Sequence, residues 1–140
     1  VPLYRLYSPS LPDHFYTTNA AERDACMQYG YTLESTAAQI LASPSPDGAS
    51  ISFFRIYRNK EHFYTADVVE KERVVGWAGT RDEGIAGYVY AERVVGTVPL
   101  YRLYNSGSDD HFYTTSAPER ETCIQSGEWN DEGVACYVYP

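Results

Sequence analysis

The segment Val1-Pro2-Leu3-Tyr4-Arg5-Leu6-Tyr7 returns almost letter for letter as Val98-Pro99-Leu100-Tyr101-Arg102-Leu103-Tyr104, with a looser copy, Phe53-Phe54-Arg55-Ile56-Tyr57, between them. A chain that repeats at this spacing folds as copies of one supersecondary unit, because no copy can bury its apolar face alone. Behind each copy comes the same string: Asp13-His14-Phe15-Tyr16-Thr17, Glu61-His62-Phe63-Tyr64-Thr65 and Asp110-His111-Phe112-Tyr113-Thr114. Alignment on the histidines brings Glu22, Glu70 and Glu119 into register, then Cys26, Val74 and Cys123, then Glu34, Glu83 and Glu132. The last three open a closing string. It reads Glu83-Gly84-Ile85-Ala86-Gly87-Tyr88-Val89-Tyr90 and Glu132-Gly133-Val134-Ala135-Cys136-Tyr137-Val138-Tyr139, and has drifted to Glu34-Ser35-Thr36-Ala37-Ala38-Gln39-Ile40-Leu41 in the first copy. Repeats 1–50, 51–97 and 98–140 thus fill the 140 residues, a length that suits one domain.

Within a unit, Tyr4 to Tyr7 and His14 to Thr17 are short aromatic or β-branched runs separated by turn formers, the pattern of a hairpin. Ser116-Ala117-Pro118-Glu119 predicts a helix start, with a capping Ser, Pro in the first turn and Glu at the positive end. Thr18-Asn19-Ala20-Ala21-Glu22 does the same, and Gly30 and Gly127 are the expected stops. Strands near Tyr31 to Leu33 and Tyr88 to Tyr90 would complete a unit of about four strands and a short helical turn. Three such units predict a mainly β chain. The expected architecture is a β-trefoil with pseudo-threefold symmetry, since closure removes open sheet edges. A three-bladed propeller has the same strand count but falls below the usual four blades.

Composition narrows the function. Hydrophobic residues make up 44% and the net charge is −8. That is apolar mass enough for a core, and an acidity that repels phosphate backbones, so no nucleic-acid partner is expected. No run approaches the roughly 20 apolar residues of a membrane span, so no membrane insertion is expected. Cys26, Cys123 and Cys136 allow at most one disulfide. Cys26 and Cys123 stand in a row with Val74, which reads as small apolar residues rather than reactive thiols. There is no nucleophile elbow, no His-Glu-x-x-His and no phosphate-cradling loop. Three equivalent positions also sit poorly with an enzyme, which assembles one asymmetric constellation. The three histidines are related only by the repeat and lack metal-ligand spacing, so neither metal nor cofactor is expected.

Strand alternation places Leu6 and Phe15 inward and puts Arg5, Tyr7, His14 and Tyr16 on one outer face, with Asp13 at its rim. The set recurs as Arg55, Tyr57, His62, Tyr64 and Glu61, and as Arg102, Tyr104, His111, Tyr113 and Asp110. One guanidinium, one imidazole and two phenols beside a carboxylate suit a sugar, whose C–H face needs an aromatic and whose hydroxyls need charged partners. The same residues also serve a fold that every unit must complete, by Tyr–Arg stacking and His–Tyr networks. A second surface pairs Glu34, Glu83 and Glu132 with Tyr88 and Tyr137, where the first copy has Gln39. Alternatively, Glu-Gly simply makes a turn before the last strand. Binding on the hairpin face would make unit two the odd one, since its hairpin is shorter. Binding on the Glu–Tyr face would make unit one the odd one.

At Leu-Tyr-Arg-Leu-Tyr, Asp-His-Phe-Tyr-Thr-Thr and Glu-Gly-Ile-Ala-Gly-Tyr-Val-Tyr the chain resembles, over essentially its whole length, a tyrosine-rich repeat domain of unknown function. That domain is found in secreted bacterial proteins, often appended to hydrolases, and in fungal proteins. The resemblance implies a non-catalytic accessory module. In size and threefold organisation the chain is also similar to mushroom β-trefoil lectins and to the lectin-like light chain of fungal tyrosinase, although the Gln-x-Trp signature of ricin-type trefoils is absent. The expectation is a lectin with up to three weak equivalent sites for glycans on cell surfaces or glycoproteins, working outside the cell, with cytoplasmic storage as the other location. The alternative is a non-catalytic subunit that docks a protein partner through Tyr-rich faces.

Overall fold

Each repeat folds as a hairpin, a helix and a third strand, in a computed structural model that describes residues 1–140. Unit one comprises β1 (Pro2–Ser8), β2 (Asp13–Thr17), α1 (Ala20–Met27) and β3 (Thr32–Gln39). Unit two comprises β4 (Ile51–Arg58), β5 (Glu61–Thr65), α2 (Val68–Val75) and β6 (Thr80–Val89). Unit three comprises β7 (Val98–Asn105), β8 (Asp110–Thr114), α3 (Ala117–Gln125) and β9 (Asn130–Val138). The chain is mainly β, in three separate antiparallel sheets ordered β2-β1-β3, β5-β4-β6 and β8-β7-β9. The Leu-Tyr-Arg-Leu-Tyr strand is the middle one each time.

The strand count differs from expectation: three per unit, not four. The two strands expected after each helix are one long bulged strand, with register shifts against the middle strand in all three sheets. Gly84 (φ +86°) and Gly133 (φ +85°) supply the left-handed residue of the bulge, so Glu-Gly bends a strand instead of ending one. Their N–H groups donate to Asp82 and Asp131 at 2.9 and 3.0 Å. The helix is two full turns, and its start follows the predicted chemistry: Asn19, Asp67 and Ser116 cap it through their side chains.

The hairpin of unit two turns in two residues, Asn59 and Lys60, both at positive φ, as its shorter spacing requires. Units one and three need longer turns between Ser8 and Asp13 and between Asn105 and Asp110.

The second strands β2, β5 and β8 come together at the centre, where every residue but His62 is buried. Tyr16, Tyr64 and Tyr113 meet there edge to face, with ring centroids 5.3–5.6 Å apart. Around them lie Leu3, Phe53 and Leu100 from the middle strands and Ile40, Val89 and Val138 from the closing segments. Phe53 is the largest of its row and faces Gly87, the smallest of its own, where Leu3 faces Ala38 and Leu100 faces Cys136. A Cβ at Gly87 would sit 2.4 Å from Ile40 Cδ1. The three cysteines are free, with Cys136 buried.

A hydrogen-bonded cycle joins the tyrosines to backbone. Tyr64 Oη accepts from the Tyr16 N–H (2.8 Å) and donates to the Tyr16 carbonyl (2.6 Å). Tyr113 Oη does the same for Tyr64 (2.9 and 2.6 Å), and Tyr16 Oη for Tyr113 (2.8 and 2.9 Å). Isolated bridges Gln39–Tyr139, Leu41–Tyr88 and Tyr90–Tyr137 tie the units pairwise at their closing strands. Unit three therefore returns onto unit one by the contacts that join one to two and two to three. What closes is a ring of units, not a continuous ladder of strands.

Tyr64→Phe keeps the ring packing but leaves one buried N–H and one buried C=O without partners, each worth about 1–3 kcal/mol. A loss of about 2–4 kcal/mol is expected in urea unfolding. A loss below about 1 kcal/mol would deny the cycle its role.

Candidate functional site

The three boundaries between units gather nearly all of the repeated polar residues. At the first, Arg5 bonds Glu119 of unit three with both terminal nitrogens (3.0 and 3.2 Å), and its Nε bonds Glu34 at 3.0 Å. At the second, Arg55 grips Glu22 (2.9 and 3.0 Å) and its Nε lies 2.9 Å from Glu83. At the third, Arg102 grips Glu70 (2.7 and 2.9 Å) and Glu132 (2.9 Å). Each guanidinium also lies over the preceding unit's phenylalanine, Phe112, Phe15 or Phe63, at 4.7–5.1 Å.

The imidazoles cross the same boundaries. Asp110 accepts from His14 Nδ1 at 2.5 Å, Asp13 from His62 Nδ1 at 2.6 Å, and Glu61 from His111 Nδ1. Each Nε2 turns to the glutamate that also holds the arginine: Glu34 (3.6 Å), Glu83 (3.4 Å) and Glu132 (3.1 Å). Tyr7, Tyr57 and Tyr104 lie against these imidazoles at 4.5–5.1 Å. The Thr of each string completes the helix cap. Thr17 accepts from the Asn19 N–H (3.0 Å) and donates to Glu22 (2.5 Å), and Thr114 relays Ser116 to Glu119 in the same way (3.0 and 2.5 Å).

Three expectations are corrected here. Tyr16, Tyr64 and Tyr113 are buried at the centre, not on the outer face, because the next unit covers the face that alternation assigned to solvent. Asp13, Glu61 and Asp110 are buried acceptors for the neighbouring histidine, not rim acids. The two candidate surfaces partly merge: Glu34, Glu83 and Glu132 lie beside the Arg and His of their own unit, while Tyr88 and Tyr137 stand apart in the closing bridges. Arg5, Tyr7 and His14, with Arg55, Tyr57 and His62 and with Arg102, Tyr104 and His111, do come together, one set per boundary.

What remains open beside these sets differs. At the third boundary a cleft of 270 Å³ is walled by Arg102, His111, Glu132, Glu70, Tyr104 and Trp77, with Arg58 and Arg73 at its side. At the first boundary a cleft of 220 Å³ is walled by Arg5, His14, Glu34, Glu119, Cys123 and Trp129. At the second boundary Tyr31 packs over Phe15 and donates to Asp13 at 2.6 Å. The nearby hollow of 240 Å³ is lined by Arg55, Glu22 and Glu83 with Thr17, Thr18 and Ala86, and has no aromatic wall.

Residues 2–139 match the model of a family described as a domain of unknown function, DUF5648. The chain belongs to that family. No curated protein and no solved structure matches it. A domain of unknown function is also what the repeated strings resembled, and its description assigns no activity.

In this DUF5648 domain, Trp77, Trp129, Tyr31 and Arg58 were missed by sequence reasoning, Glu22 and Glu119 were read only as parts of helix starts, and Glu70 only as their counterpart in register. The three aromatics follow the helices at unequal offsets, so alignment on the histidines hides them. Their signal was the aromatic after each helix, which includes both tryptophans of the chain.

Burial works against the charge of Glu22, Glu70 and Glu119, but the bidentate arginine and the Thr hydroxyl outweigh it and hold these carboxyls below the ordinary range. At Glu132, too, desolvation is outweighed, by His111 and Arg102, and the carboxyl is held low. Burial also opposes the charge of His111, yet Glu132 and Glu61 keep its imidazole above the usual value. Carboxyls lowered in the folded state stabilise fully above their unfolded value of about 4.3 and lose that contribution as pH falls through the folded value. A raised imidazole contributes fully below about 6.5 and loses it as pH rises through its folded value. Thermal midpoints should therefore drop steeply in acid, and His111→Gln should flatten the limb above neutrality. Glu70→Gln should cost about 1–2 kcal/mol and weaken the acid limb. An acid limb that survives unchanged in Glu70→Gln would deny these pairs their role.

Proposed function

We propose that this domain binds carbohydrate without catalysis, as a lectin-type module whose sites lie at the unit boundaries in a trefoil-like presentation. The carrying observation is a tryptophan beside a ring of charged donors and acceptors in each of two small clefts. Trp77 is 49% exposed at the edge of one, and Trp129 packs against Phe112 and His14 in the other (5.7 and 6.1 Å). An indole offers its face to the C–H side of a sugar, and fixed carboxylates with lone pairs to spare accept from its hydroxyls. Clefts of 220 and 270 Å³ fall below the volume of drug-sized pockets and suit a single ring.

Two open clefts, with Tyr31 packed over Phe15 at the remaining boundary, make two sites of the up to three expected, and the two are unlike. A single millimolar site is worth about 4 kcal/mol. Two on one rigid body raise apparent affinity for a glycan-bearing surface by about 10²–10⁴, which fits action at an extracellular glycan. The partner-docking alternative has less support. The tyrosines that suggested it are the buried central three and the three spent on histidines, while the most exposed, Tyr29 at 83%, stands outside both sets.

The two tryptophans make the test direct, since each reports one cleft. Titration with a panel of neutral and acidic monosaccharides should change Trp emission. Trp77→Phe and Trp129→Phe should each abolish the response of one cleft while the fold, checked by circular dichroism, is retained. Tyr31→Trp, which gives the second boundary the indole of the other two and removes the hydroxyl that reaches Asp13, should raise the calorimetric stoichiometry from two to three. Silence of both tryptophans across the panel at saturating sugar would overturn the proposal.

A further inference from the structure

The two open clefts differ by charges that the repeat does not supply. Arg58 ends the middle strand of unit two, where units one and three carry Ser8 and Asn105. Arg73 lies in the last turn of α2, where the equivalents are Ala25 and Thr122. Both additions fall on the cleft that holds Trp77. There three arginines face two glutamates, whereas one arginine faces two glutamates in the Trp129 cleft. Arg58 keeps counter-ions of its own in Glu61 and Asp109, so the distinction of this cleft is not net charge but two guanidinium groups more than its counterpart.

The added arginines have donors to spare. Arg58 contacts Glu61 and, at 3.2 Å, Asp109 through Nη1 alone, so Nε and Nη2 have no protein partner. Its guanidinium lies over the Trp77 ring, 5.6 Å from the centroid, so a sugar would stack on the opposite, solvent-facing side of the indole with this cation held close by. Arg73 is 62% exposed and approaches only Glu70, at 3.8 Å, outside hydrogen-bond range. The arginine common to all boundaries, Arg102, has every nitrogen committed to Glu70 and Glu132. The cleft therefore holds an aromatic platform, a set of fixed carboxylates, and two guanidinium groups with open donors.

We infer that the Trp77 cleft selects a sugar carrying an anionic group, a carboxylate or a sulfate, with Arg58 and Arg73 as its anion-binding residues, while the Trp129 cleft takes a neutral sugar. The inference rests on the carbohydrate-binding reading and deepens it. Guanidinium is suited to this task because it offers two parallel donors to a planar carboxylate or to two sulfate oxygens. The neutral hydroxyls of such a sugar would donate to Glu132 and Glu70, which in their ionised form accept and cannot donate. Glu34 and Glu119 fill that role at the other cleft without an added cation, so an anionic ligand there meets an excess of carboxylate.

Two indole N–H signals in a proton–nitrogen correlation spectrum, assigned by Trp77→Phe and Trp129→Phe, follow each cleft separately. The probes are glucuronic acid, galacturonic acid, N-acetylneuraminic acid and glucose 6-sulfate, against glucose and galactose. At least one acidic probe is expected to move the Trp77 signal with affinity about tenfold above its neutral counterpart, the scale of one charge-assisted hydrogen bond. The Trp129 signal should show no such preference. Added NaCl should reduce the preference, because the open arginines face solvent. Response to uronates alone assigns a carboxylate, and response to glucose 6-sulfate alone assigns a sulfate. Arg73→Gln is an exposed change that leaves the fold intact, and it should cut the preference severalfold. Arg58→Lys keeps the charge on Glu61 and should cut it too. Equal response of the Trp77 signal to acidic and neutral sugars would overturn this inference and leave carbohydrate binding standing. Stronger acidic binding at Trp129, or a preference unmoved in Arg73→Gln and Arg58→Lys, would also overturn it. If no sugar moves either signal, both readings fall.

Discussion

The inner edge of a three-stranded sheet is a row of unpaired backbone groups, and this fold brings three such edges face to face. Nothing on a single unit can satisfy them. The hydroxyls of Tyr16, Tyr64 and Tyr113 do so reciprocally, each serving the N–H and C=O of one neighbour. A buried amide without a partner costs about 1–3 kcal/mol, so each unit is stable only with the other two in place. The cycle also explains why tyrosine occupies this position in every copy. Phenylalanine would fill the space but not close the edges.

Once the ring is closed, each unit's polar face lies against its neighbour, which gives the remaining letters of the motif their work. The histidine reaches the buried acid of the previous unit, the phenylalanine lies under the next unit's arginine, and the threonine relays the helix cap to the glutamate that arginine grips. Half-buried ion pairs of this kind contribute modestly to stability, because desolvation offsets most of the attraction. Their stronger effect is on pairing. Three near-identical units can associate in the wrong order, and the third boundary is marked against that. Glu61 replaces the aspartate of the other copies, Arg58 shares its carboxylate with His111, and Asp109 accepts from Asn59 at 2.7 Å and Tyr104 at 2.6 Å.

The repeat and its boundaries were legible in the sequence because every copy must bury Leu3, Phe53 or Leu100 and cap its helix with Asn19, Asp67 or Ser116. The bulged third strand was not, because Glu-Gly at 83–84 and 132–133 reads equally as a turn, and only pairing with a middle strand decides. The placement of Tyr16 failed for a related reason. Alternation tells which side chains share a face of a strand, and it correctly grouped Arg5, Tyr7, His14 and Tyr16. It carries no information on whether that face meets water or another unit. Glu34, Glu83 and Glu132 were legible as a set but not as neighbours of those arginines, since a β-sheet brings together residues 29 and 30 apart.

The features that open a site are the ones the repeat does not share. The charged residues common to the three copies, and the central tyrosine, are spent on holding the copies together: arginine on two glutamates, histidine on an acid and a glutamate, Tyr16, Tyr64 and Tyr113 on backbone. A ligand cannot take donors already satisfied within the fold without replacing what they hold. Free donors and uncovered aromatic surface therefore come from positions where one copy departs from the others. Trp129 and Trp77 leave a cleft where Tyr31, with a hydroxyl that reaches Asp13, fills one. Arg58 and Arg73 add nitrogen donors at one boundary alone. The symmetry of the motif makes a rigid frame, and the exceptions to it, different at each boundary, set where that frame leaves aromatic surface and nitrogen donors open.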